Sequence, residues 1–196
     1  MQRLIQRLVL LALAACSDNA GPATAPPVPT SQLHFVLQDP AAPPLAASSG
    51  SFLAKVGENR ELRLFYQNGQ EFMRFEVPSD GLLRKPDGSS FQPGEEILIT
   101  VTIMDPARFV FAFEPTGLQF NPSDQARLKI YYYNGDHDFN GDGTVDAEDA
   151  RIESQLDIWR REPPDTVWFR LGAVNFESSE ELNANIASFT DHAVAW

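Results

Sequence analysis

The sequence predicts a mainly β protein, in which a β-sandwich carries one inserted loop-plus-helix unit and follows a signal peptide and a disordered tether. Of its 196 residues, 43% are hydrophobic and 11% aromatic, which is enough apolar side chain to form a core. Short runs of strand-forming residues recur from Phe52 onward, and turn signals that contain Pro and Gly separate them. Many short strands joined by regular turns are typical of a sandwich or a partly closed barrel.

Residues 1–15 have the pattern of a signal peptide. Arg3 and Arg7 provide a positive start, and the apolar run 8–15 contains no charge. This run is about half of the ~20 residues that a membrane-spanning helix needs, so it predicts a cleaved signal and not a transmembrane anchor. It ends in Leu13-Ala14-Ala15-Cys16, which resembles the lipobox of bacterial lipoproteins.

The lipobox resemblance implies that the Cys16 thiol is acylated, that the signal is cut before it, and that the lipid holds the mature chain in a bilayer. The alternative is an ordinary signal peptide with an unmodified cysteine near its end. Ser17, directly after the cysteine, favours the outer membrane over the inner membrane. We therefore expect an exported protein that is lipid-anchored in the cell envelope.

Residues 16–51 are expected to connect the lipid to the folded body. Residues 17–30 are rich in Ala, Pro and small polar residues without periodicity, which predicts a tether. A short strand is expected at 33–37, and a second stretch rich in Pro, Ala and Ser, 39–51, separates it from the sandwich domain, residues 52–196.

The clearest strand signal in the body is a hairpin. Runs 61–66 and 71–77 flank Asn68-Gly69, a dipeptide whose two residues both take positive φ in the tightest hairpin turns. The other expected strands are 97–104, 109–113, 126–133, 166–174 and 183–189.

Residues 138–149 read DFNGDGTVDAED and have the spacing of a calcium-binding loop. Calcium takes six to eight oxygen ligands at roughly 2.3–2.6 Å in a flexible arrangement. Six residues occupy the ligand places, the fourth through its backbone carbonyl and the fifth through a water molecule: Asp138, Asn140, Asp142, Thr144, Asp146 and Asp149. Gly143 stands in sixth place, where the backbone bends sharply.

Two alternatives to calcium stay open for this loop. An acidic, glycine-rich loop can simply be solvated, and magnesium is the weaker metal candidate because it demands a stricter octahedron. Val145 is expected to point inward and fix the loop to the core.

A helix is expected over 146–161, directly after the loop. Asp146 can cap it, and three apolar residues at helical spacing would face the core: Ile152, Leu156 and Trp159. Arg160 and Arg161 would close the last turn before Pro163-Pro164. The loop and helix would then form an insertion, residues 136–162, whose helix packs on the sandwich as a lid.

The loop-plus-helix unit resembles half of a dockerin, an EF-hand-like module with the pattern D-x-N-x-D-G-x-V and an Asp in twelfth place. The resemblance covers about 136–161 and implies calcium binding. Dockerins use two such units in tandem to bind cohesin partners, whereas this sequence contains one.

The β body contains two distinctive motifs, Phe75-Glu76-Val77-Pro78 with Gly81-Leu82, and the run from Phe113 to Phe120 before an apolar strand. In these motifs it resembles the ZU-type domain of ankyrins and netrin receptors. The resemblance covers 72–133 and 166–196 and implies a β-sandwich. Some members cleave themselves at His-Phe-Ser. Here Ser188-Phe189-Thr190 fills those places without the histidine, so we expect no self-cleavage.

Charge and motifs limit the possible functions. The formal net charge is −12, with only three lysines and no basic cluster, so nucleic-acid partners are not expected. His34, His137 and His192 are scattered, and the sequence has no nucleophile-elbow, phosphate-loop or His-Glu-x-x-His motif, so we do not expect an enzyme. The run Tyr131-Tyr132-Tyr133 could stack on sugars, although strand alternation favours ordinary packing.

Two functions follow from these observations. The first is a calcium-binding, lipid-anchored protein of the cell envelope that acts as a non-catalytic structural or interaction module with an unknown protein or glycan partner. The alternative is an accessory carbohydrate-binding component of a polysaccharide-degrading system, by analogy with dockerins.

Overall fold

The computed structural model describes residues 26–196, which form a β-sandwich of antiparallel sheets. The strands are β1 (Val28–Pro29), β2 (Ser49–Lys55), β3 (Arg60–Phe65), β4 (Glu71–Val77), β5 (Leu82–Arg84), β6 (Glu96–Asp105), β7 (Val110–Glu114), β8 (Gln119–Phe120), β9 (Ala126–Tyr131), β10 (Asp157–Arg161), β11 (Val167–Arg170), β12 (Val174–Phe176), β13 (Glu181–Ile186) and β14 (Asp191–Ala195). The α-helix in this part of the chain, α1, spans Ala147–Glu153, and short 3-10 turns lie at Thr30–Gln32 and Glu177–Ser179. The mainly β fold class is confirmed.

Two large sheets form the layers of the sandwich. The seven-stranded sheet has the order β1-β11-β10-β14-β7-β6-β2, and the five-stranded sheet has the order β12-β13-β9-β4-β3. Strands β5 and β8 form a small separate ribbon. All the strand pairs are antiparallel, as expected for a chain in which short strands follow one another through turns.

Phenylalanine side chains fill the core between the sheets. Phe75 of β4 meets Phe113 of β7 at 5.2 Å between ring centroids, and Phe113 meets Phe189 at 5.3 Å. Each of these three rings is buried. Burying one such side chain contributes about 1.5–3 kcal/mol, so this aromatic cluster is a major source of the sandwich's stability.

The expected hairpin forms between β3 and β4, but its turn differs from the expected one. Tyr66 N donates to Gln70 O at 2.8 Å, which closes a longer loop than two residues. Gly69 has a φ of 87°, whereas Asn68 does not share positive φ, because Glu180 is the only non-glycine residue of the described part that does. The Asn68 side chain instead accepts a hydrogen bond from Gln70 N at 3.0 Å.

The helix expected over 146–161 is wrong beyond Glu153. The chain turns after α1 and enters β10, which pairs with β14 over five residues. Ile158 then lies in the main core, while Trp159 lies in a second cluster with Trp168. This strand pairing outweighs the helical spacing of the apolar residues, so residues from Asp157 onward belong to the sheet and not to an inserted lid.

The folded body extends N-terminal of Phe52, the boundary expected from the sequence. Strand β2 begins at Ser49, and Val36 is buried in the main core. The expected strand 33–37 is reduced to isolated bridges, from Phe35 to Ala195 and from Leu37 to Arg108.

Two C-terminal strands also differ from their expected bounds. The run 166–174 is divided into β11 and β12 at Gly172, whose φ is 74°. Strand β13 ends at Ile186 instead of Phe189.

Candidate calcium site

The acidic loop lies between β9 and α1 and is fixed to the sandwich at its start. Asp136 N donates to Leu37 O at 2.8 Å, and Gly135 bridges Gln38. Phe139 is only 8% exposed and meets the Trp196 ring edge-on at 5.7 Å. The inward role expected of Val145 is therefore wrong, because that side chain is 69% exposed and Phe139 provides the apolar anchor.

The first half of the loop folds around its own side-chain oxygens. Asp138 accepts from Asp142 N at 3.0 Å and from Gly143 N at 2.7 Å, one bond to each carboxylate oxygen. Asn140 Oδ1 also accepts from Asp142 N, at 2.8 Å. Gly143 has a φ of 89°, which favours glycine at the sixth place of the loop.

Asp142 accepts hydrogen bonds from Thr144, the next residue expected to bind the ion. Its Oδ1 accepts from the Thr144 hydroxyl at 2.7 Å and from Thr144 N at 2.9 Å. These two hydrogen bonds, the one from the hydroxyl first, lower the pKa of Asp142. The carboxylate is therefore ionised at neutral pH, which is the form that binds a cation.

Asp149 closes the loop from the first turn of α1. Its carboxylate is buried, with 1% of the residue exposed, and it accepts from Asn140 N at 3.1 Å and from Asp146 N at 2.9 Å. Asp146 in turn caps the helix by accepting from Glu148 N at 2.8 Å. Asp149 thus joins the third, ninth and twelfth places of the loop. Within residues 26–196 it forms no ion pair with Lys, Arg or His.

The donor set suits a hard cation. All six expected places offer oxygen, from four carboxylates, one amide and the Thr144 carbonyl. The side-chain oxygens accept hydrogen bonds from backbone amides of the loop. Across residues 26–196, no group of three or more His, Cys, Asp or Glu side chains could hold a metal ion. The residues present fit calcium by chemistry and order along the chain.

A partly buried polar network at the end of α1 was not foreseen from the sequence. The Tyr132 hydroxyl lies 3.0 Å from Glu153 Oε1 and 2.9 Å from Asn175 Oδ1, and Asn175 Nδ2 donates to Glu153 O at 2.7 Å. Burial, followed by the negative charge of Glu153, raises the pKa of Tyr132. The network ties the end of α1 to the residue that follows β9 and to β12.

The tyrosine run packs as strand alternation predicted. Tyr132 is fully buried, whereas Tyr131 and Tyr133 are partly exposed. Tyr132 is therefore not available as a platform for sugars.

Cys16 and the expected signal peptide, residues 1–15, lie outside the described residues. Of the helices in residues 26–196, none has the length and apolar character needed to cross a membrane. No family model, curated protein or solved structure matches the chain.

Proposed function

We propose that residues 138–149 bind a calcium ion and that the protein is a non-catalytic, lipid-anchored component of the cell envelope. The observation that supports calcium most strongly is the carboxylate of Asp149, which is buried, bound to two loop amides and unpaired with any cationic side chain among residues 26–196. Backbone amides hold this carboxylate, but no cationic side chain among residues 26–196 balances its charge, and a divalent cation in the loop would do so.

The ligands would be the six residues that the spacing indicates. Asp138, Asn140 and Asp142 would bind through side-chain oxygens, Thr144 through its carbonyl, Asp146 through water and Asp149 through its carboxylate. The bend at Gly143 and the cap at Asp146 order the backbone of the loop. Binding would therefore require the side chains to turn towards the ion but little additional ordering of the backbone.

The role of the ion would be structural. Asp136, just before the loop, contacts Leu37, and Phe139, within the loop, contacts Trp196. An ion that fixes the loop would therefore stabilise both contacts. Extracellular calcium modules bind with Kd of about 10⁻⁴–10⁻³ M, so the ion would be a constant part of an exported protein and not a signal.

Thermal unfolding of the purified protein tests the calcium proposal. We expect a higher midpoint with excess calcium than with a chelator, and a smaller increase with magnesium. A midpoint that is the same in calcium and in chelator would contradict the proposal.

Lipid anchoring is tested separately at Cys16. We expect the wild-type protein to incorporate a labelled fatty acid in a bacterial host and to fractionate with the outer membrane, whereas Cys16→Ser does neither. Equal labelling of the two proteins would contradict the anchor without affecting the calcium proposal.

A further inference from the structure

Two segments around the start of the acidic loop share one tripeptide. Residues 134–136 and 140–142 both read Asn-Gly-Asp, and a third Asn-Gly pair, 68–69, lies in the hairpin between β3 and β4. Asparagine before glycine is prone to deamidation, because glycine has no side chain to hinder attack of its nitrogen on the asparagine side chain. The local sequence therefore predicts equal reactivity for Asn134 and Asn140, and only their surroundings can distinguish them.

The backbone at Asn134 is fixed by the folded body. Gly135 is buried, its N–H donates to Tyr132 O at 2.6 Å, and it forms a bridge with Gln38. A Cβ atom placed on Gly135 would lie 2.8 Å from Tyr132 O, so the backbone here is closely packed. Attack of the Gly135 nitrogen on the Asn134 side chain therefore requires local opening of this part of the fold.

The backbone at Asn140 is open to solvent. Both Asn140 and Gly141 are exposed, and no heavy atom beyond the adjacent residues lies within 4 Å of the place that a Gly141 Cβ would take. The Gly141 N–H donates to Asp138 O at 3.2 Å, at the long end of the range for such hydrogen bonds. The rotation that brings Gly141 N to the Asn140 side chain therefore meets no packed neighbour.

The Asn140 side chain also accepts a hydrogen bond that favours attack on its Cγ. Asp142 N donates to Asn140 Oδ1 at 2.8 Å. Negative charge develops on this oxygen when a nucleophile adds to Cγ, and an N–H donor at this distance stabilises the charge. In the other tripeptide the corresponding donor, Asp136 N, is bound instead to Leu37 O at 2.8 Å. The structure thus distinguishes two segments that the local sequence does not.

We propose that Asn140 is a site of spontaneous deamidation within the acidic loop. After losing its proton to water or hydroxide, Gly141 N attacks Asn140 Cγ. A new C–N bond forms, the bond from Cγ to Nδ2 breaks, and the side-chain nitrogen leaves as ammonia. Water then opens the five-membered succinimide at one of its two carbonyls and gives either aspartate or isoaspartate.

The isoaspartate product would disable the loop as a calcium site, a consequence that rests on the proposed function. Isoaspartate carries the main chain through the former side chain and so lengthens the backbone by one methylene at the third ligand place. The places on either side, Asp138 and Asp142, would then lose their spacing. Bound calcium would in turn protect Asn140, because it holds Oδ1 on the ion and fixes the backbone of the loop.

Peptide mapping by mass spectrometry tests the modification site. The purified protein is incubated at mildly alkaline pH in chelator, and Asn134 and Asn140 are compared in the same sample. We expect deamidation at Asn140 to be at least about tenfold faster, because Asn134 reacts only after local opening. After unfolding in urea the two rates should become similar. Deamidation at Asn140 that is no faster than at Asn134 in the folded protein would overturn the proposal.

The same experiment in calcium tests the protection of Asn140. With Kd of about 10⁻⁴–10⁻³ M and about 10 mM calcium, about 1–10% of the loops are unbound, so deamidation at Asn140 should slow by about 10–100-fold. Asn68 is the matched control, because it is exposed, accepts from Gln70 N at 3.0 Å in the same way and lies outside the loop. Its rate should not change. Equal rates at Asn140 in calcium and in chelator would contradict its role as a calcium ligand while leaving the modification site supported.

The effect on calcium binding is measured on the isoaspartate form itself, separated by chromatography. We expect it to bind no calcium in equilibrium dialysis under conditions in which the unmodified protein does. Equal calcium binding by the two forms would overturn the predicted loss of the site, and absence of binding by the unmodified protein would contradict the proposed function instead.

Discussion

Replacing Asp149 with Asn separates the two roles that the structure gives to this carboxylate. Without calcium, the wild-type carboxylate accepts two backbone hydrogen bonds, from Asn140 N and Asp146 N, in a buried position. The asparagine amide keeps one acceptor oxygen and places an NH₂ group against the other amide. Losing one hydrogen bond to a charged group costs about 1.5–3 kcal/mol, so we expect this loss of unfolding free energy in chelator.

Loss of calcium binding should add a second, independent difference in stability between wild type and Asp149→Asn. With Kd near 10⁻⁴–10⁻³ M and about 10 mM calcium, binding stabilises the folded state by about 1.4–2.7 kcal/mol. For a chain of this length, each kcal/mol raises Tm by about 2–4 °C, so we expect calcium to raise the wild-type Tm by about 3–10 °C. Asp149→Asn should show little or no increase, because it lacks the closing ligand.

The assay is thermal unfolding followed by circular dichroism, in chelator and in calcium, for wild type and two variants. Glu148→Gln is the matched control, because Glu148 is an exposed acid in the same helical turn that pairs with Arg151 and fills no ligand place. It should keep the wild-type response to calcium. A full calcium response in Asp149→Asn would refute the assignment of Asp149 as a ligand.

Three further predictions concern the core, the segment that connects β11 to β12, and the loop. Burial lowers the pKa of His192 to about 3, so its ring is neutral in the folded protein. The unfolding free energy therefore falls as the pH drops from about 6.5 towards 3, because only the unfolded state takes up a proton in this range. Between about pH 6.5 and 4.5, the unfolding free energy measured in urea should fall by about 2 kcal/mol less in His192→Leu than in wild type. Equal decreases in the two proteins would contradict the burial of a neutral His192. Asp157→Ala removes the carboxylate that accepts from Ile158 N, Ala173 N and Arg170 Nε, and it should lower the unfolding free energy by about 3–5 kcal/mol. A change below about 1 kcal/mol would contradict the structural role of Asp157. Gly143→Ala should cost about 1–2 kcal/mol in chelator because its φ is 89°, and it should also weaken calcium binding; Gly88→Ala, at a φ of 83° outside the loop, should show only the first effect.

Local patterns predicted the features of the fold that depend on nearby residues. The β3–β4 hairpin, the alternation that buries Tyr132 and the cap at Asp146 follow from residues a few positions apart. The helix beyond Glu153 was wrong because the spacing of Ile152, Leu156 and Trp159 suits a helix as well as a turn followed by a strand. Only pairing with β14, more than thirty residues later in the chain, decides between them.

The candidate calcium site also combines local features, which the sequence predicted, with contacts between distant residues, which it did not. The order of oxygen-bearing residues from Asp138 to Asp149 is a local property and could be identified from spacing. The anchoring ring is different, because Phe139 packs against Trp196, which lies 57 residues later in the chain. The Tyr132–Asn175 hydrogen bond also depends on strand order, which the sequence did not specify.

Equilibrium dialysis with radioactive calcium tests whether the loop binds the ion. We expect saturable binding of a single calcium ion per chain, with Kd of about 10⁻⁴–10⁻³ M, which is lost in Asp138→Ala and in Asp142→Ala. Absence of saturable binding by the wild-type protein, or the same stoichiometry and affinity in both variants, would contradict calcium binding by the loop.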